Sequence, residues 1–356
     1  MNMPNQTNVT TLGLFEKRIE GDDCLMMLAQ QRFQQAGMGA EMHAGTPEQL
    51  ERLLKFRPSE DSPMVVHLPR DFNLAVDTSR MRILEFASLF AGLISGMVIH
   101  DHPALATQQA NYVEVAWNLD DELEKINRCP VLFVEYAAGL EPAAFVEFFA
   151  SIPDLDRIGA CIDIGHIGIR QARAAYASSH RGEDVCGLKS QPTRLPQLIP
   201  DIEIAVQTGA ASALETVQAI AALKKPVHFH LHDAHPLSTA NPFGVSDHLG
   251  FQAEIPLAFE YHGRRKLSPM FGPEGMAKVV GRALPSMAAR GVSFTLEIHP
   301  TFERLPLGEA SSLFSHWTDK TNAEEMNHWL DLLSRNHELL KQAIKAASLE
   351  QGTAVL

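Results

Sequence analysis

The chain has 356 residues, enough for one large α/β domain or two ordinary ones, and its 45% hydrophobic content supports a substantial core. Its 43 acidic residues outnumber 30 basic ones, a formal net charge of −13. That is the wrong sign for a general nucleic-acid binder, which needs a basic footprint. Residues 1–11 lack a basic-then-apolar signal pattern, and the most apolar run, residues 86–99, is too short to span a bilayer. Cys24, Cys129, Cys161 and Cys186 are scattered without CxxC spacing, as expected of reduced thiols in a cytoplasmic protein.

Hydrophobic periodicity places the elements in chain order. Residues 10–15 read as a first strand and 24–36 as a helix stopped at Gly37. Residues 39–43 read as strand two, followed by a helix over 46–56 with Thr46 as N-cap. Strand three is 64–67, then an apolar helix over 78–93; strand four is 97–100, then an amphipathic helix over 107–127. Strand five is 131–135, with a helix over 142–150, and strand six is 158–163. A helix is expected after His166, then an irregular insertion over 179–200 and a helix over 202–223. In strand seven, Val227, Phe229 and Leu231 alternate with His228, His230 and His232, so three imidazoles share one face. Residues 234–273 form a long loop rich in Pro, Gly and His, 274–290 a helix, 292–297 strand eight, and 322–346 a tail helix.

Eight strands, each followed by a helix, predict a single-domain (β/α)8 TIM barrel over about residues 10–299, with long insertions after strands six and seven and a C-terminal helical extension. A doubly wound open sheet is the alternative. No Gly-rich turn follows the first strand to place a dinucleotide there.

Polar residues close the apolar runs: His67 on strand three, His100 on four, Glu135 on five, Asp163 on six, the histidines on seven and Glu297 on eight. In a barrel those C-terminal ends converge on the mouth that carries active sites. Pleat parity agrees, since Phe133 shares a face with Glu135, Cys161 with Asp163, and Thr295 with Glu297. One carboxylate at a strand end is commonly the N-cap of the next helix. Three carboxylates and three or more histidines at successive strand ends call for another account. Gathered anionic groups repel one another unless protonated or bound to a cation. Carboxylates mixed with imidazoles, without thiolate, suit zinc or manganese, with cobalt and iron next; a histidine ligand disfavours magnesium.

The segments Phe133-Val134-Glu135-Tyr136-Ala137-Ala138-Gly139, Cys161-Ile162-Asp163-Ile164-Gly165-His166, His230-Leu231-His232-Asp233 and Leu296-Glu297 follow in order over strands five to eight. As a set they resemble the xylose-isomerase-like TIM barrels, a family of sugar isomerases, epimerases, inosose dehydratases and endonuclease IV-type repair enzymes. The resemblance implies a divalent metal held by Glu135, Asp163, His230 and Glu297, with the two glutamates also serving as acid and base and His166 contacting substrate. The endonuclease branch adds a second metal on histidines matched here by His67 and His100. Its Asp-x-His element after strand seven is replaced by adjacent Asp247-His248, a departure that speaks against a third site there.

Of the other candidates, His228 lies two residues deeper than His230 and reads as a packed core histidine. His232 and His248 join His166 as substrate-binding candidates, and His232 and His235 line the mouth or orient ligands. His102 competes with His100, and His299 either continues strand eight into the site or belongs to the loop after it. Arg264 and Arg265 read as an exposed basic turn, and His316, His328 and His337 as surface residues of the tail.

The leading expectation is a metal-dependent isomerase or epimerase of a sugar, sugar acid or polyol, in which a Lewis-acid metal stabilises an enediolate while Glu135 and Glu297 move the proton. The second is a two-metal phosphodiesterase or hydrolase, motivated by His67 and His100. The third is a non-catalytic metal-binding barrel. The expected partner is a small molecule, with neither nucleic acid nor membrane; the long loop and C-terminal helix are the expected places for a homo-oligomer contact.

Overall fold

Short runs of Val, Ile, Leu and Met give strands buried on both faces, as parallel sheets covered by helices require. The strands are β1 (Val9–Leu14), β2 (Gly39–His43), β3 (Met64–His67), β4 (Gly96–His100), β5 (Val131–Glu135), β6 (Ile158–Asp163), β7 (Val227–Leu231) and β10 (Val292–Leu296). In the computed structural model they close a barrel in the order β1-β10-β7-β6-β5-β4-β3-β2. The pairings from β10 through β1 to β6 are parallel and in register, with His43 beside His67 and His100 beside Glu135. The structure describes residues 9–15, 22–137, 139–191, 193–238, 248–252, 254–287, 291–298 and 323–353. Among them no helix is long and apolar enough to cross a membrane.

The described chain divides into two compact units. The first comprises Met1–Ile162, Thr216–His230 and Ala283–Leu296, and so holds nearly all of the barrel. Leu12, Val65, Val98, Phe133 and Cys161 pack together as one buried cluster. On β3, β4 and β5 these residues stand two positions before His67, His100 and Glu135, so the same strand faces carry the apolar layer and then the polar groups. Phe133 fits because its neighbours are small: a Cβ on Gly96 would lie 2.7 Å from the ring, and one on Gly159 3.0 Å. Around the strands stand α1 (Asp23–Ala36), α2 (Pro47–Leu54), α3 (Asp77–Leu89), α4 (Gln109–Glu124) and α5 (Pro142–Ala150). Thr46 caps α2 by accepting from the Gln49 amide, as the sequence predicts. Lys225 is 1% exposed and donates to the carbonyls of Ile152 and Leu155 at 2.6 and 2.5 Å, which pins the approach to β7.

The second unit comprises Asp163–Glu215, Leu231–Arg282 and Glu297–Leu356. It holds α6 (Ile164–Ser179), most of α7 (Leu195–Ala222) and of α8 (Gly272–Met287), and α9 (Ala323–Thr353). Several expectations need correction here. Helix α6 begins at once after Asp163 rather than after His166, because the Asp163 carboxylate caps it. The insertion expected over 179–200 contains a 3-10 turn, Val185–Ser190, and the next helix starts at Leu195 with Pro200 inside it. Pro196, at its second position, forfeits no intrahelical bond, whereas Pro200, at the sixth, lacks the N–H that would bond back to residue 196.

The loop expected over 234–273 contains an antiparallel hairpin, β8 (Ile255–Tyr261) and β9 (Arg264–Leu267). Its turn is His262-Gly263, both at positive φ (47° and 74°), the backbone of a two-residue hairpin loop. Arg264 is exposed on β9. The tail histidine His337 is buried rather than at the surface, because α9 packs one face inward with Trp329, Leu333, Asn336 and Leu340. Trp329 donates to the Ile298 carbonyl and Asn336 accepts from the Phe251 amide. His299, His316, Asp247 and the side chains of Arg265 and His328 lie outside the described residues.

Candidate functional site

In the first unit a cluster forms where β2 to β5 and β7 present their inward side chains. Glu41, in the middle of β2, is fully buried. Its Oε2 accepts from His228 Nε2 at 2.8 Å and from Thr295 Oγ1 at 2.6 Å; its Oε1 accepts from His230 Nε2 at 2.9 Å. Burial alone would raise the Glu41 carboxyl, but His230 and His228 outweigh it and hold it well below the usual carboxylate range. Ser293 Oγ lies 2.6 Å from His228 Nδ1, and Phe133 stacks on that ring. Burial pushes His228 below its ordinary value, consistent with a neutral core histidine.

Glu135 closes β5. Its Oε2 lies 2.9 Å from His67 Nε2 and 3.4 Å from His100 Nε2, and its Oε1 lies 3.4 Å from His230 Nδ1. Burial opposes its ionisation, yet His100, His230 and His67 hold it well below the usual range. His67 Nδ1 donates to the Leu68 carbonyl at 3.0 Å, which commits that nitrogen and turns Nε2 to the carboxylate. Burial lowers His67, but Glu135 and then Glu41 raise it overall. The competing His102 is turned away: its Nδ1 accepts from the Ala104 amide in an exposed turn.

The second unit carries its own cluster. Asp163 Oδ1 caps α6 by accepting from the His166 amide at 2.7 Å and also meets His232 Nε2 at 3.0 Å. Its Oδ2 lies 3.1 Å from His232 Nε2 and 3.3 Å from His166 Nδ1. The cap and the polar cluster therefore use one side chain. Burial raises the Asp163 carboxyl, but His166 and His232 bring it below its ordinary value. His232 repeats the His67 arrangement. Its Nδ1 donates to the Asp233 carbonyl at 3.1 Å and its Nε2 faces the carboxylate; burial opposes protonation, but Asp163 pushes it up to about 9. His248 Nε2 lies 3.1 Å from Glu297 Oε1, and the His248 ring stands 4.3 Å from that of His232 and 5.6 Å from that of His166.

His248 is held at φ 53°, a left-handed conformation uncommon outside glycine. The next residue explains how: Leu249 pairs with Asp233 through two backbone hydrogen bonds. The Asp233 carboxylate in turn accepts from the amides of Ala234, Phe271 and Gly272 at 2.8, 3.0 and 2.7 Å. Asp233 is thus an organiser of the loop that carries His248. Close approach also sets Gly165, since a Cβ there would lie 2.0 Å from His232 Cε1.

Of the residues singled out in the sequence, Glu135, His230, His67 and His100 stand in the first cluster. Asp163, His166, His232, His248 and Glu297 stand in the second. Glu41 and Asp233 were not singled out. The signal for Glu41 was a charged residue inside a strand too short and apolar to be exposed; the signal for Asp233 was its place directly after β7, ahead of a loop with many amides to satisfy.

Both clusters could hold a metal. In the first unit His67, His100 and Glu135, or Glu41, His67 and His230, bring one ligand atom each within 4.8 Å of one another; in the second, Asp163, His166, His232 and His248 do so. The chemistry of the donors fits. His67 and His232 each spend the Nδ1 proton on a carbonyl, so a neutral ring would turn a lone pair on a carboxylate. Only a proton or a cation between them makes that contact favourable, and a pinned Nδ1–H is the usual partner arrangement of a ligating imidazole.

The chain matches no family model and no curated protein. Solved structures are similar over most of its length. One is a D-psicose 3-epimerase with D-tagatose from Clostridium cellulolyticum H10, 10% identical with a TM-score of 0.48, covering 94% of this chain and 99% of that one. Another is the crystal structure of AsfvAP:AG, 15% identical with a TM-score of 0.49, covering 94% and 98%. A third is a xylose isomerase-like TIM barrel protein from Mycobacterium smegmatis in complex with magnesium, 10% identical with a TM-score of 0.46, covering 95% and 97%.

Proposed function

We propose that this chain is a divalent-metal-dependent isomerase or epimerase of a sugar, sugar acid or related polyol. The observation that carries the reading is the repeated pairing of buried carboxylates with imidazoles whose other nitrogen is already committed, at His67 with Glu135 and at His232 with Asp163. The proposed ligands are Glu135, Asp163, His230 and Glu297, at or directly after the ends of the neighbouring barrel strands β5, β6, β7 and β10. Zinc or manganese suits that set best, ahead of cobalt and iron. When bound, the metal supplies a Lewis acid for a substrate carbonyl and its adjacent hydroxyl.

The protein's own groups do the rest. Glu135 and Glu297 are the proposed acid and base, and His166 is proposed to share that work. Among the described residues neither ring nitrogen of His166 makes a hydrogen bond, although both are buried; Nδ1 lies 3.3 Å from Asp163 Oδ2, which leaves Nε2 for a substrate group. His232 and His248 are the further proposed substrate contacts. The outermost side chains are recessed: His100 is 17% exposed, His166 14%, Glu297 13% and His248 10%. Such access suits a small polar molecule.

The test is exchange chemistry on metal-loaded protein. Incubated in D2O with a panel of ketoses, aldoses and sugar acids, it should place deuterium on the carbon next to the carbonyl of its substrate. Glu297→Gln should slow this by about 10²-fold or more. A second reading, a hydrolase using more than one metal, is favoured by His67 and His100 both bearing on Glu135 Oε2. Two tightly bound metals per chain, hydrolysis of a phosphodiester and no carbon-bound exchange would sink the first reading and establish the second.

A further inference from the structure

Glu41 takes no part in the proposed chemistry. It is fully buried and its oxygens accept from His228, His230 and Thr295. A carboxylate buried this deep needs its oxygens satisfied, and one of its donors is a ring proposed as a metal ligand. The two nitrogens of His230 face different groups: Nε2 meets Glu41 Oε1 at 2.9 Å, and Nδ1 lies 3.4 Å from Glu135 Oε1.

We infer that Glu41 is a positioning residue for His230: by accepting a hydrogen bond from Nε2–H it fixes the ring so that Nδ1 is the nitrogen offered to the cation beside Glu135. A carboxylate behind an imidazole fixes its tautomer and orientation and strengthens it as a donor to metal, commonly by 10- to 100-fold in affinity. His228 and Thr295 hold Glu41 in place. His228 is itself held by Ser293, 2.6 Å from its Nδ1, and by the stacked Phe133. The chain of support thus runs from β10 through β7 to β2 before it reaches the proposed ligand. The inference rests on the metal reading above for its affinity measurement, but not for its measurement of proton position.

Two variants separate orientation from charge. Glu41→Leu removes the acceptor. Glu41→Gln keeps an acceptor for His230 by turning its amide oxygen to Nε2 and its amide nitrogen to His228. His228 can accept from that nitrogen because Ser293 can take a proton from Nδ1 as readily as give one.

In histidine-labelled wild-type protein, two-bond ¹⁵N–¹H spectra should show Nε2 of His230 carrying a proton both without metal and with Zn²⁺. Titration with Co²⁺, read by its visible absorption, should show affinity reduced by about 10- to 100-fold in Glu41→Leu and nearly restored in Glu41→Gln. A bare Nε2 in the wild type overturns the inference. So does Glu41→Leu binding Co²⁺ as the wild type does, or Glu41→Gln binding as weakly as Glu41→Leu. If Glu41→Leu does not fold, the wild-type spectrum and Glu41→Gln still decide. Wild-type protein that takes up no Co²⁺ defeats the metal reading instead, and the proton position then decides alone whether Glu41 orients the ring.

Discussion

At the scale of single residues, two effects compete at Gly165, inside α6. Alanine there should gain roughly 1 kcal/mol of helix propensity. Its Cβ would also lie 2.0 Å from the His232 ring, a contact no packing accommodates without displacing that ring. The steric term wins, so Gly165→Ala should lower the thermal midpoint and weaken metal uptake; a raised midpoint would show that His232 moves freely. His337 tests burial. Burial, with Lys341 nearby, brings its pKa down to about 4 from 6.5, so the folded state holds it neutral where the unfolded chain would protonate it. Its contribution is complete above pH 6.5 and is lost as pH falls from 6.5 toward 4. His337→Leu should flatten the fall of thermal midpoint across that window, and an unchanged slope in melts between pH 7.5 and 4 would contradict this.

At the scale of elements, the junction of β6 and α6 places two roles on Asp163. Asparagine caps a helix about as well as aspartate, whereas alanine forfeits about 1 kcal/mol. Asp163→Asn should therefore keep α6 capped but lose the charge that faces His232 and His166. Metal affinity should fall in both variants, and the thermal midpoint further in Asp163→Ala. Equal midpoints would mean that the cap contributes nothing. The β8–β9 hairpin makes a local prediction of its own. Gly263 at φ 74° accepts no Cβ without strain, so Gly263→Val should cost on the order of 1 kcal/mol or more, read as faster proteolytic nicking at that turn.

At the scale of the whole molecule, buried carboxylates and imidazoles are a standing electrostatic cost that a bound cation relieves. Metal that binds only the folded state stabilises it by mass action. Chelation should lower the thermal midpoint by several degrees and Zn²⁺ or Mn²⁺ should restore it. A midpoint indifferent to chelator, in protein shown by elemental analysis to carry metal beforehand, would place the metal outside the barrel ends. The stoichiometry from the same preparation separates one-metal proton transfer from multi-metal hydrolysis.

The sequence by itself determined the barrel. Strand residues alternate between a face turned to the helices and a face turned inward, so β3, β4, β5 and β6 could be read with their terminal polar residues, and Thr46 with its cap. It also determined which residue types gather at the strand ends. Only the tertiary structure decided which atoms meet. The sequence put His228, His230 and His232 on one face, but their partners come from Glu41, Glu135 and Asp163, 187, 95 and 69 residues away. The histidine partners of Asp163 and Glu297, the burial of His337 on the inward face of α9 and the pairing of Asp233 with Leu249 likewise depend on contacts between distant segments. Local periodicity records which way a side chain points; what it meets there is set by the closure of the barrel and the packing of the long connections.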